Sequence, residues 1–256
     1  MSRNFFKRIV ARPAGGHVWM GLVLPAWVIA GFVVSQVVVG LVIAALREAG
    51  VTFVDVNPAI FSTVVSAIVY LLLLVIVIGL PWVIKKYRTT SEELGFTRYP
   101  TWTDIVLAPA GFFVYMILSA IFTALAMSYL TFINFDQVQD TGFSQLGPQY
   151  EYLLAFATLV IVAPVAEEII FRGYLLGKLR KHVPIWVAIL ITSLLFAAVH
   201  LSWNVGIDVF ALSLVLCLLR ITTKSLWPAI LLHMLKNGVA FYFLFINPYL
   251  LTTLGG

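Results

Sequence analysis

Glu151-Tyr-Leu-Leu-Ala-Phe-Ala-Thr-Leu-Val-Ile-Val-Ala-Pro-Val-Ala-Glu-Glu-Ile-Ile-Phe-Arg-Gly-Tyr-Leu-Leu-Gly177 is long enough to cross a bilayer as one helix, yet it carries Glu167, Glu168 and Arg172 in its interior. At ~1.5 Å per residue, about 20 apolar residues span a ~30 Å hydrocarbon layer. An ionisable side chain at mid-span costs roughly 2.5 to 3.5 kcal/mol on insertion scales, so charges kept there are paired or functional. Glu168 and Arg172 stand at i and i+4 and share a helix face, where a charge-assisted pair lowers the cost of both. Glu167 points about 100 degrees away and has no local partner of opposite charge, which in an apolar setting raises its pKa toward the range of a general base. A structural ion-pair cluster that fixes helix packing reads the same residues equally well. Pro164, three residues earlier, opens the backbone there, for structure or for function.

The rest of the chain fits a membrane setting. Of 256 residues, 62% are hydrophobic and 11% charged, against roughly 25% charged in a soluble domain. Soluble enzymes are excluded. Apolar segments fall at 19–46, 59–84, 104–131, 151–177, 184–203, 205–219 and 227–247. They predict an all-α, polytopic transmembrane helical bundle of about seven spans, multi-pass in the cell membrane, with membrane lipids as partners. The sixth segment is the short one, about 22 Å as a helix, and is expected to be tilted, half-buried or broken. No repeat, low-complexity tract or soluble domain is visible.

Charge placement gives the sidedness. Alternating the connections puts every Lys and Arg except Arg47 and Lys236 on one side, from Arg3, Lys7, Arg8 and Arg12 to Lys224. The other side holds the 132–150 connection, with Asp136 and Asp140 but no basic residue. By the positive-inside rule the N-terminus is cytoplasmic. A net charge of +5 would suit nucleic acid only as a basic face, and here the basic residues are separated by apolar spans, so no nucleic-acid partner is expected. Trp19, Trp82, Trp102, Trp186 and Trp227 lie near basic span ends, as interfacial anchors do. The first apolar stretch is too long for a signal h-region and is read as a retained helix. The single cysteine, Cys217, rules out an internal disulfide and any multi-cysteine zinc site, and is read as a small core side chain.

Two more polar groups lie in later spans. His200 closes Phe196-Ala-Ala-Val-His200, and His233 and Asn237 stand at i and i+4 in His233-Met-Leu-Lys-Asn237. The turn Lys181-His-Val-Pro184 falls about midway between Glu167 and His200, so antiparallel helices running unbroken to that turn bring the two level, each ~25 Å from it. A carboxylate and an imidazole that meet inside a bundle can share a proton or a water. His233 and Asn237 offer two neutral donors on one face, suited to an oxyanion, although interhelical hydrogen bonding explains them equally. Helix depths favour a site in the cytoplasmic half of the membrane, with the hairpin projecting beyond the surface. Lys236 either snorkels or meets an acid such as Glu167 or Asp208. Asp208 and Asn204 begin the sixth segment, where helix capping is the favoured account. His17 and His182 lie in basic connections and are expected to be solvated.

In order along successive spans, Glu-Glu-x-x-x-Arg, Phe-x-x-x-His and His-x-x-x-Asn resemble the CPBP family of intramembrane proteases, which includes the type II CAAX prenyl endopeptidases and Abi-like bacteriocin-processing or immunity proteins. The resemblance covers about residues 150 to 245, including Phe171-Arg172-Gly173 and Ser225-Leu-Trp-Pro228. It implies a variable N-terminal part, 1–148, of three spans, and a catalytic core, 149–256, of four helices. It also implies that Glu167 and His200 activate water, that His233 and Asn237 stabilise the oxyanion, and that Glu168 and Arg172 orient and neutralise the site. The implied partner is a peptide or protein substrate, lipid-modified in the CAAX case, cut near the cytoplasmic membrane face. A zinc-dependent version would use Glu, His and His with water as fourth ligand. The metal-free glutamic reading is favoured, because burial beside Arg172 tunes a carboxylate and HExxH spacing is absent. A non-catalytic immunity or scaffold protein is the alternative of another class.

Overall fold

The computed structural model describes residues 15–135, 141–143 and 146–249. The predicted basic residues Arg3, Lys7, Arg8 and Arg12, and the acids Asp136 and Asp140, lie outside the described residues. Eight helical elements follow in order: α1 (Met20–Glu48), α2 (Pro58–Lys85), α3 (Ser91–Leu94), α4 (Trp102–Tyr129), α5 (Gln149–Leu179), α6 (Ile185–Ala198), α7 (Trp203–Thr223) and α8 (Trp227–Ile246). No strand occurs among the described residues. Six helices, all but α3 and α6, are long and apolar enough to span a bilayer. Large apolar side chains such as Leu22, Leu41, Val83 and Phe113 stand exposed on their outer faces, as a lipid-facing surface requires. The chain is a multi-pass helical membrane protein.

The short helix is the fifth apolar segment and not the sixth. Helix α6 has 14 residues, about 21 Å. It ends because Leu201 adopts a left-handed φ of 54°, which a non-glycine helix residue does not sustain. Ser202 then precedes α7, which reaches 21 residues. His200 consequently sits in the turn after α6, and the assumption of two unbroken helices meeting at one turn does not hold.

The chain divides into two compact units. The first draws on Met1–Ile29, Thr89–Gln139 and Glu167–Leu232. Its apolar core joins α4, α7 and the start of α8 through Ala108, Tyr115, Leu212, Val215, Leu216 and Leu232. Gly111 allows the close approach, since a Cβ there would stand 3.0 Å from Leu232. Asp208 corrects its expected capping role: it lies in the second turn of α7 and accepts hydrogen bonds from the Tyr115 and Ser119 hydroxyls of α4, at 2.7 and 2.6 Å. Residues after Thr90 fold back on this unit, with α3 opened by a Thr90–Glu93 capping box and closed by Gly95 at φ 102°. The Arg220 side chain lies on Gly95 and donates to the Glu93 carbonyl at 3.3 Å. Trp227 opens α8, where its indole N–H donates to the Arg98 carbonyl at 2.8 Å and its ring meets Phe96 edge-on. His182 is partly buried, and the His17 amide donates to its Nδ1 at 3.4 Å, so it is held against the N-terminal segment and not simply solvated.

The second unit draws on Ala30–Arg88, Asp140–Ala166 and His233–Gly256. Its core comprises Ala59, Phe143, Ala155, Val160 and Phe241. Asn57 caps α2, accepting from the Ala59 and Ile60 amides, with Pro58 in the first turn, where its missing N–H costs nothing. The Asn57 carboxamide also donates to Glu151 at 2.6 Å, which ties the starts of α2 and α5. Helix α1 packs on α2 at Gly31, where a Cβ would collide with Val77.

Candidate active site

Helix α5 is not uniform. It turns π-helical over Ala157–Val162 and again over Ile169–Leu175, on either side of Glu167 and Glu168. Such turns insert an extra residue per turn and occur often at functional sites. The first has a local cause. Pro164 supplies no N–H and its ring clashes with the carbonyl four residues back, so the preceding turn widens, and Ala163 N–H bonds to Thr158 O in the i to i+5 pattern.

In the first unit the sequence-predicted pair is formed: Arg172 Nη1 donates to Glu168 Oε1 at 2.9 Å, and both side chains are fully buried. The guanidinium carbon lies 4.2 Å from the Phe196 ring centroid, within cation–π range. Phe171 meets the same ring edge-on at 4.9 Å. Phe196 in turn contacts the His200 ring at 5.0 Å, and its backbone carbonyl lies 2.7 Å from His200 Nδ1. A carbonyl only accepts, so Nδ1 carries a proton, and the neutral tautomer that fits this bond has its lone pair on Nε2. The structure thus brings Glu168, Arg172 and His200 together through Phe196. Glu167 is half-buried beside them in sequence. The Phe196 ring face lies against the guanidinium, and the Cys217 thiol lies near the same group.

Phe196 is a link that residue spacing does not reveal. Its place in Phe-x-x-x-His was visible, but nothing in the sequence assigned its ring to Arg172. Cys217 is fully buried, as expected, with Ser193 Oγ 3.9 Å from its sulfur; no periodicity signals that α6–α7 contact.

His233 and Asn237 fall in the second unit. His233 is buried. Asn237 Nδ2 donates to the Leu159 carbonyl at 2.9 Å, so one of its two amide protons serves an interhelical bond. Among the described residues, within neither unit do three His, Cys, Asp or Glu side chains gather as metal ligands.

Comparison with known families follows the same stretch. Residues 149–239 match the family model described as Type II CAAX prenyl endopeptidase Rce1-like. This segment resembles the Rce1-like endopeptidases. The match contains all three motifs, and with them Glu167, His200, His233 and Asn237. The chain is 29% identical over 139 residues to the membrane-embedded CAAX protease MroQ of Staphylococcus aureus (strain USA300), covering 49% of this chain and 56% of that one. It is 35% identical over 89 residues to an uncharacterized 24.3 kDa protein of Escherichia coli, 33% of this chain and 41% of that one. It is 32% identical over 98 residues to the UPF0177 protein YxdF of Lactococcus lactis subsp. lactis (strain IL1403), 36% of this chain and 54% of that one. The chain thus spans about half the length of the curated relatives it matches. No solved structure matches it.

Proposed function

We propose that this chain is an intramembrane endopeptidase in which Glu167 and His200 prepare a water for attack on a peptide carbonyl. The observation that carries the reading is the chain of contacts from the buried Glu168, Arg172 and Phe196 to the half-buried His200, inside a segment resembling CAAX endopeptidases. His200, with Nδ1 held by a carbonyl, offers Nε2 as proton acceptor and later donor. Glu167 is the general base, and positioned proton transfer of this kind contributes about 10² to 10⁴ in rate. Arg172 binds Glu168 on the neighbouring helix position, which leaves Glu167 as the acid assigned to the water. His233 and Asn237 donate to the oxyanion of the tetrahedral intermediate, where one donor is worth about 10² to 10³.

The substrate is a peptide or protein cut near the cytoplasmic membrane face, and a lipid-modified C-terminal segment is one class of it. Membrane lipids surround the exposed apolar faces. The mechanism is glutamic and metal-free. Incubating the purified protein with a quenched-fluorescence peptide library, with and without a chelator, tests catalysis and metal need together. Chelator-resistant cleavage supports the reading, chelator-sensitive cleavage that zinc restores replaces it with the zinc version, and absence of cleavage of soluble and prenylated peptides alike favours a scaffold.

A further inference from the structure

The first π-helical turn of α5 denies the Leu159 carbonyl both of its helical donors for a definable reason. In an α-helical turn Leu159 O would accept from Ala163 N–H, but that amide bonds to Thr158 O. In the π pattern the donor to Leu159 O would be the amide of residue 164, which is proline and has none. A half-buried helix carbonyl in an apolar setting, denied both donors, is costly unless a side chain reaches it. Asn237 Nδ2 does so, at 2.9 Å. Pro164, Leu159 and Asn237 all belong to the second unit.

This bond also fixes which way the carboxamide faces. Only the NH₂ end can donate to a carbonyl, so Nδ2 points at Leu159 and its second N–H is left for another acceptor. We propose that Pro164 is a positioning residue: by withholding an amide from Leu159 O it draws Asn237 Nδ2 onto that carbonyl and so fixes the carboxamide of the residue assigned to the oxyanion. The inference rests on the oxyanion role proposed above for Asn237. Restoring an N–H at position 164 gives Leu159 O a backbone donor. Leu159 O then no longer depends on Asn237, and the carboxamide loses the demand that fixes it there.

Pro164→Ala is the direct test, since Ala is the better helix former and the change adds the missing donor. The protein labelled with ¹⁵N-asparagine, in detergent micelles, gives a side-chain amide signal for Asn237, assigned by its loss in Asn237→Ala. In Pro164→Ala that signal is expected to move upfield as the bond to Leu159 is lost, and thermal unfolding checks that the variant is folded. Turnover is expected to fall about tenfold in kcat, with KM changed less than about twofold, because misorientation of a transition-state donor leaves ground-state binding intact. Asn237→Ala should cost about 10² to 10³, and adding Pro164→Ala to it should cost nothing more. An unmoved Asn237 signal in folded Pro164→Ala overturns the inference whatever the activity shows. A moved signal with full turnover in Asn237→Ala instead overturns the oxyanion assignment and leaves Pro164 as the residue that orients Asn237.

Discussion

The Arg172 guanidinium carbon lies 4.2 Å from the centroid of the Phe196 ring, and the same ring touches His200. One aromatic side chain therefore joins the buried cation of α5 to the imidazole after α6. A desolvated cation–π contact is worth about 2 kcal/mol. Phe196→Leu is expected to destabilise the protein by at least that amount in thermal unfolding and to lower kcat, because His200 loses its ring support while the carbonyl bond to Nδ1 remains. Unchanged unfolding and turnover would show that the ring does neither.

The Glu168–Arg172 pair is fully buried at both ends. Taking away one partner of such a pair strands a charge and costs about 3 to 5 kcal/mol, whereas replacing both with apolar residues of similar volume is often close to neutral. Arg172→Met is expected to be strongly destabilised and the double variant Glu168→Leu/Arg172→Met to recover much of that loss, while both are inactive. Equal destabilisation of single and double variants would argue against a coupled pair.

Much of this arrangement was legible in the sequence because the relevant signals are local. Apolar run length gave the helices, and the i to i+4 spacing gave the Glu168–Arg172 bond. What was not legible depends on backbone events that pattern does not encode. The left-handed Leu201 ends α6 early and places His200 in the turn after it, where it joins the cluster through Phe196. Asp208 read as a cap because it lies near a helix start, but Tyr115 and Ser119 come from a helix some 90 residues away in sequence. The first π-helical turn follows from Pro164, and the Asn237 side chain that meets its free carbonyl comes from α8, a pairing that sequence pattern does not encode.

Gly95 has φ 102°, and a Cβ there would stand 2.6 Å from the Arg220 guanidinium carbon. Gly50 has φ 86° with nothing within 4 Å of the same position. Gly50→Ala meets only the backbone cost, roughly 1 kcal/mol. Gly95→Ala is expected to lower the unfolding temperature further, because Arg220 must leave the Glu93 carbonyl. Equal effects of the two substitutions would contradict the docking of Arg220 on α3.

Burial, followed by the charges of His17, Lys181 and Lys178, holds the His182 imidazole below its ordinary 6.5. Below pH 6.5 the unfolded chain therefore binds a proton that the folded chain refuses until a lower pH. Stability is expected to decline as pH drops from 6.5 toward the depressed folded value and to level off beneath it. His182→Asn should flatten this part of the unfolding-temperature profile between about pH 7.5 and 5.5. An unchanged slope would remove His182 from the account.

The central claim is that Glu167 takes the proton from the attacking water. Glu167→Gln keeps the size and hydrogen-bonding capacity of the side chain while removing the base, and the measurement is kcat/KM for peptide cleavage by wild type and variant with matched unfolding temperatures. The account expects a loss of about 10² to 10⁴, whereas activity within a few-fold of wild type would contradict it.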